Sequence, residues 1–181
     1  MNDNCGHGID CRPDAPRLLG LDGYWLMVLD RDLDRVLPEE GCALLLGEPS
    51  GVETWRLRWI WPCLNRWTPM AERLRRFHVD PAELVGAQRW ARDHHWQLLG
   101  SAHSHPTAGG APSAFDLSLA WEGCLLLIRG HDPAELGAWL VGAPGEPPRA
   151  VALGEWEEPP PSRPVHAHAS SRHQRHPAEP G

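Results

Sequence analysis

The sequence predicts an α/β (α+β) domain, a sheet with helices packed on it. Three observations carry this. Short apolar runs ended by Gly suit buried strands, an alternating Trp/Arg run suits a half-exposed strand, and helical spacing with capping signals lies between them. Leu26, Leu29, Leu33 and Val36 fall on one helical face, with Asp22 as its cap and Pro38 as its stop near Leu37. The run Cys42-Ala43-Leu44-Leu45-Leu46-Gly47 has the length and flanks of a buried strand. Trp55, Leu57, Trp59 and Trp61 alternate with Arg56 and Arg58, which predicts a strand exposed on one side.

A second helix starts at Asp80-Pro81, with Glu83 at the capping-box spacing and Leu84, Ala87 and Ala91 as its apolar face. After Trp96, the run Leu98-Leu99-Gly100-Ser101-Ala102-His103 reads as a strand. A short helix is expected from Ser113 through Trp121, then a buried strand at Leu125–Ile128 and late strands at Ala138–Val141 and Ala150–Leu153. Composition divides the 181 residues into a disordered leader (1–17), a working domain (18–157) and a disordered Pro/His-rich tail (158–181).

Several function classes are disfavoured. The formal net charge is -7, against the basic footprint of a nucleic-acid binder. The Trp/Arg run could stack single-stranded bases, but the acidic chain argues against it. All 17 basic residues are Arg, so chemistry that needs a lysine is absent. No apolar run reaches the ~18 residues of a membrane span, and the polar start lacks a secretory signal. Five widely spaced Cys form no disulfide framework, so a reducing cytoplasm is the expected location. Cys5, His7 and Cys11 lack a nearby fourth ligand for a metal clip. The tail histidines His166, His168, His173 and His176 suit a solvated end better than a metal store.

The chemistry concentrates in His103-Ser104-His105-Pro106 followed by Pro112-Ser113-Ala114-Phe115-Asp116. Residues i and i+2 of an extended chain share a face, so His103 and His105 aim two imidazoles at one point. Ser113 and Asp116 have the spacing of N-cap and N3, which fixes Asp116 on a helix end facing the pair. Either element alone has an ordinary structural use, as a core His pair or a helix cap. Together, two imidazoles and a carboxylate are the donor set of a catalytic zinc site, with the fourth position left to water. Such a site needs a further carboxylate, not itself a ligand, to move protons. Glu39, Glu40 and Glu48 are equally available on sequence alone. Ser113 offers a hydroxyl to a developing oxyanion. Other His-x-His enzymes fit less well: the chain is short for an amidohydrolase barrel, lacks the Asp-His after the pair found in metallo-β-lactamases, and has no zinc-deaminase signature.

These residues resemble the JAMM/MPN+ (Mov34/MPN/PAD-type) zinc metalloproteases, in their compact bacterial form. The resemblance rests on Glu40 ahead of the 42–47 strand, on His103-Ser104-His105-Pro106 and on Pro112-Ser113-Ala114-Phe115-Asp116-Leu117. Asn65, Phe77, Asp80-Pro81, Glu83-Leu84 and Trp139 match flanking positions of the family, and coverage is roughly residues 20–155. It implies an MPN fold, a curved mixed β-sheet flanked by helices and similar to cytidine deaminases. It implies one zinc ion per chain on His103, His105 and Asp116, Glu40 as acid/base acting through the metal's water, and Ser113 as oxyanion donor. The family often reads E-x-C-G before the strand; here Gly41 precedes Cys42, and the spacing to Cys42 selects Glu40 over Glu39. The implied substrate is the Gly-Gly tail of a ubiquitin-like or sulfur-carrier protein, hydrolysed at a peptide or isopeptide bond and bound as an extended strand on a sheet edge. The rival reading is a catalytically silent MPN-type scaffold or binding module, disfavoured because all five site residues are present.

Overall fold

A computed structural model describes residues 15–156. The expected leader, apart from residues 15–17, and the whole of the expected tail lie outside the described residues, with the Cys5/His7/Cys11 group and the tail histidines. Residues 15–17 are part of the fold: Pro16 is fully buried and the Arg17 backbone N–H donates to the Glu53 carbonyl at 2.7 Å.

The elements are β1 (Leu18–Leu21), α1 (Gly23–Asp34), β2 (Cys42–Pro49), β3 (Thr54–Cys63), a 3-10 turn (Met70–Glu72), α2 (Pro81–Asp93), β4 (Gln97–Ser104), α3 (Ala114–Leu119), β5 (Leu125–Arg129), β6 (Leu136–Leu140), β7 (Arg149–Ala150) and β8 (Ala152–Glu155). The strands form one mixed sheet in the order β7-β6-β5-β4-β2-β3-β1-β8. Its two outermost strands are consecutive in sequence. Residues 149–150 pair with β6, Val151 donates to the Ala138 carbonyl at 2.8 Å, and residues 152–155 pair in parallel with β1. One stretch of backbone thus serves both margins, and the sheet curves almost into a barrel.

The inner face is a single apolar cluster fed by β1 to β6, including Leu19, Leu45, Leu57, Leu99, Leu127 and Leu140, with Leu29 and Leu33 of α1 packed into it. Each fully buried Leu contributes roughly 1.5–3 kcal/mol by leaving water. Asp22 caps α1 as expected, accepting from the Tyr24 N–H at 2.8 Å. The helix stops at Asp34, so Val36, expected on its apolar face, lies beyond it. The outer face carries α2, whose Ala87 and Ala91 sit against Leu44 and Leu46, and α3, whose Leu117 packs on Cys124, Leu126 and Ile128.

Three local readings change on folding. The Trp55–Trp61 alternation breaks: Ile60 is buried and Trp59 is exposed. A bulge skips Arg58, so Leu46 pairs with Trp59 and Gly47 with Leu57, and one extra residue reverses the faces of the strand. Asp80 caps α2 through the Ala82 N–H at 2.9 Å, but the Glu83 carboxylate accepts from the Trp61 indole N–H at 2.8 Å instead of closing a capping box. β1 has no counterpart among the expected strands. Among the described residues no helix is long and apolar enough to cross a membrane.

Candidate metal centre

The site lies on the outer face, at the end of β4. A second bulge decides this placement. Leu45 pairs with Gly100 and Leu46 with Leu98, so Leu99 is the extra residue and enters the inner cluster while Ser101 and His103 point outward. His103 lies opposite Cys42 of β2, fully buried, with Phe77 stacked on its ring at a centroid distance of 4.6 Å. The His105 backbone N–H donates to the Arg129 carbonyl at 2.8 Å, and its Nδ1 lies 2.9 Å from the Gly109 carbonyl oxygen. A carbonyl only accepts, so Nδ1 carries the hydrogen and the Nε2 lone pair is free. Asp116 comes from the first turn of α3. The expected capping box is formed: the Asp116 N–H donates to Ser113 Oγ at 3.2 Å and the Ser113 N–H to Asp116 Oδ2 at 2.6 Å.

The three side chains converge. His103 Nε2 and His105 Nε2 are 3.0 Å apart, Asp116 Oδ1 is 3.5 Å from His103 Nε2, and Asp116 Oδ2 is 3.3 Å from His105 Nε2. A tetrahedral ion with ligands at ~2.0–2.1 Å has edges of about 3.3–3.4 Å, so these separations fit one ion. The donor set fits too, since the free Nε2 lone pair of His105, the His103 imidazole and the Asp116 carboxylate are all ligand types that zinc takes. His103, His105 and Asp116 can therefore hold a metal ion.

The electrostatics differ between the two rings. Burial alone would raise the Asp116 carboxyl, but the adjoining His103 and His105 rings and the Ser113 N–H hold it far below the usual carboxylate range. Burial pushes His103 down, which favours the neutral, metal-binding ring; burial opposes protonation of His105 as well, but Asp116 and the Gly109 carbonyl raise it.

Glu40 is held beside this group by its backbone. Its N–H donates to the Arg73 carbonyl at 2.7 Å, and its carbonyl accepts from Asn65 Nδ2 at 3.0 Å. Gly41 and Ser104 exchange two further bonds that join the start of β2 to the end of β4 between the two histidines. The Glu40 side chain is 3% exposed and Oε2 has no hydrogen-bond partner. Burial pushes its carboxyl up to about 7, with His105 acting downward and Asp116 upward. Glu39 points elsewhere, to Arg73 Nη1 at 3.5 Å. Glu48 pairs with Arg58 at 3.5 Å. Ser113 is exposed at the mouth.

Asn65 and Gly109 have roles that spacing did not reveal. The Asn65 amide also donates to the Arg76 carbonyl at 2.9 Å and accepts from the Trp67 N–H at 3.0 Å, tying Glu40 to the 65–78 loop. Gly109 offers its own carbonyl and Asn65 grips the carbonyls of other residues, and backbone partners leave no mark in side-chain patterns.

A family model described as prokaryotic homologs of the JAB domain matches residues 26–141. The chain belongs to this family. Its JAB domain includes every residue of the site. The family contains metallopeptidases and inactive members alike. The solution structure of protein DSY2949 from Desulfitobacterium hafniense is similar at 26% identity and a TM-score of 0.65, over 77% of this chain and 95% of that one. The solution structure of a protein from Salinibacter ruber is similar at 26% identity and a TM-score of 0.52, over 77% and 92%. None of the curated proteins matches this chain.

Proposed function

We propose that this JAB domain is a zinc metallopeptidase that hydrolyses a peptide or isopeptide bond near the Gly-Gly terminus of a ubiquitin-like or sulfur-carrier protein, in the cytoplasm. The observation that carries the reading is the buried Glu40 carboxyl, without a partner at Oε2, beside a His-His-Asp group spaced for one ion. A zinc ion bound there supplies Lewis-acid polarisation and a water of lowered pKa. Glu40, held near neutrality, takes a proton from the attacking water and returns it to the departing amine. Ser113 Oγ accepts from the Asp116 N–H, which leaves its own O–H to donate to the substrate carbonyl as charge builds there. The capping box holds Ser113 and Asp116 in fixed relation, so oxyanion donor and ligand move as one unit.

Beside Asp116 an apolar groove of about 290 Å³ opens between α2 and α3, lined by Phe77, Leu84, Leu119, Trp121 and Leu126 among others. It suits the substrate tail better than a sheet edge does, because β4, the strand that carries the histidines, is paired on both sides.

The test is cleavage of a sulfur-carrier protein extended by a few residues beyond Gly-Gly. Glu40→Gln keeps about one zinc per chain and loses turnover by several orders of magnitude, since ligand and base are separate groups. Zinc-loaded wild-type protein that cleaves no such tail would favour the silent scaffold.

A further inference from the structure

Away from the metal centre, seven rings run across the outer surface in an unbroken series. Tyr24 meets Trp25 at a centroid distance of 5.1 Å, Trp25 meets Trp59 at 5.2 Å, and Trp59 meets Trp90 at 5.8 Å. Trp61 joins Trp90 at 6.4 Å, and His94 bridges Trp90 and Trp96 at 4.2 and 5.0 Å. The rings come from α1, β3, α2 and the turn before β4. Tyr24 is 58% exposed, Trp90 37% and Trp59 36%. Successive rings are tilted by 73°, 59° and 44°, so they stand as ridges with clefts between them and not as a flat stack. Large rings left half in water at one place mark a docking surface.

Proline-rich segments dock on such ridged aromatic surfaces, because the polyproline II helix is already extended and loses little entropy on binding. This chain supplies one. After Trp156 the sequence continues Glu157-Glu158-Pro159-Pro160-Pro161-Ser162-Arg163-Pro164. The last described residue stands at the near end of the series: the Trp156 N–H donates to the Leu21 carbonyl at 2.8 Å, three residues before Tyr24. The Arg56 guanidinium lies over the Trp156 ring at 5.0 Å, a cation where Glu157 and Glu158 follow. Reach is sufficient, since a polyproline II helix advances ~3.1 Å per residue and about six residues span Tyr24 to Trp90. A segment tethered this closely sees its site at an effective concentration on the order of millimolar, so weak contacts suffice. The net charge of -7 disfavours a nucleic acid as the occupant.

We propose that residues 159–164 of this chain dock as a polyproline II helix on the Tyr24–Trp25–Trp59–Trp90 surface. The test uses the full-length protein and its indole N–H resonances in ¹H–¹⁵N spectra, assigned with Trp59→Phe and Trp90→Phe. Pro159→Gly, Pro160→Gly, Pro161→Gly and Pro164→Gly are combined in one variant. The Trp59 and Trp90 signals shift by more than their linewidth, the buried Trp55 signal stays in place, and the differences persist on tenfold dilution. In Trp59→Ala, the backbone amide signals of Ser162 and Arg163 move toward their positions in a free peptide. Indole signals that the glycine variant leaves unmoved would overturn the proposal. Differences that vanish on dilution would also overturn it, because they assign the surface to a second copy of the chain.

Discussion

Removing the charge of Glu40 should stabilise the metal-free protein, although the residue is the proposed acid/base. Its carboxyl is buried, unpaired at Oε2 and pushed up to about 7 from an ordinary 4.5. At about 1.4 kcal/mol per tenfold change, ionising it within the fold costs ~3 kcal/mol more than in the unfolded chain. Below the unfolded value, both states are protonated and Glu40→Gln matches wild type. As pH rises through the window from 4.5 to about 7, the unfolded chain releases this proton first and wild-type protein loses stability. Gln carries no such penalty. At pH 8 the variant should therefore exceed wild type by up to ~3 kcal/mol, which is roughly 6–12 °C in Tm for a chain of this size. Thermal melts of both proteins with a chelator, from pH 4 to 8, measure the difference. Added zinc narrows the gap, because a cation beside Glu40 favours its ionised form. Equal melting temperatures at pH 8 without metal would show that the carboxylate already has a partner, and the reasoning from burial would fail.

Asp116→Asn should abolish stoichiometric zinc uptake, read by metal analysis after dialysis, while the capping N–H bonds keep α3 folded. Gly100→Ala should prevent native folding or cost several kcal/mol, because a Cβ there would lie 1.9 Å from the Leu125 carbonyl oxygen; a cooperative melt near that of wild type would refute it. Glu83→Ala should lower stability by about 1–2 kcal/mol in urea denaturation, since it strips the partner from the half-buried Trp61 indole. Asp34→Asn should cost roughly 1–3 kcal/mol by the same measurement. It weakens the ion pair of Arg129, a buried guanidinium whose own backbone carbonyl holds His105.

The site was more legible than the scaffold that presents it. His103, His105, Ser113 and Asp116 lie within fourteen residues of one another, so strand alternation and a helix cap suffice to bring them together. The choice among Glu39, Glu40 and Glu48 was not legible from periodicity, because it depends on which carboxylate finds an arginine. Arg73 takes Glu39 and Arg58 takes Glu48, and Glu40 is left buried. Both bulges escaped the sequence for a related reason. The extra residues, Arg58 and Leu99, are defined by the strand opposite, and local alternation cannot reveal a register slip. β1 was missed because its four residues alternate with nothing and its partners lie far along the chain.

The stretch 149–155, which seals the sheet by touching both of its margins, also fixes when the protein can be finished. One parallel neighbour of β1, β3, follows soon in the chain, yet the other, β8, arrives more than a hundred residues after β1. A nascent chain halted before residue 149 already holds Glu40, His103, His105 and Asp116 but has an open apolar seam along β1 and β6. Closing so long a loop is slow, and the unfinished chain is sticky while it waits. Completion of the core therefore waits for residues 149–155, after every donor to the ion has emerged.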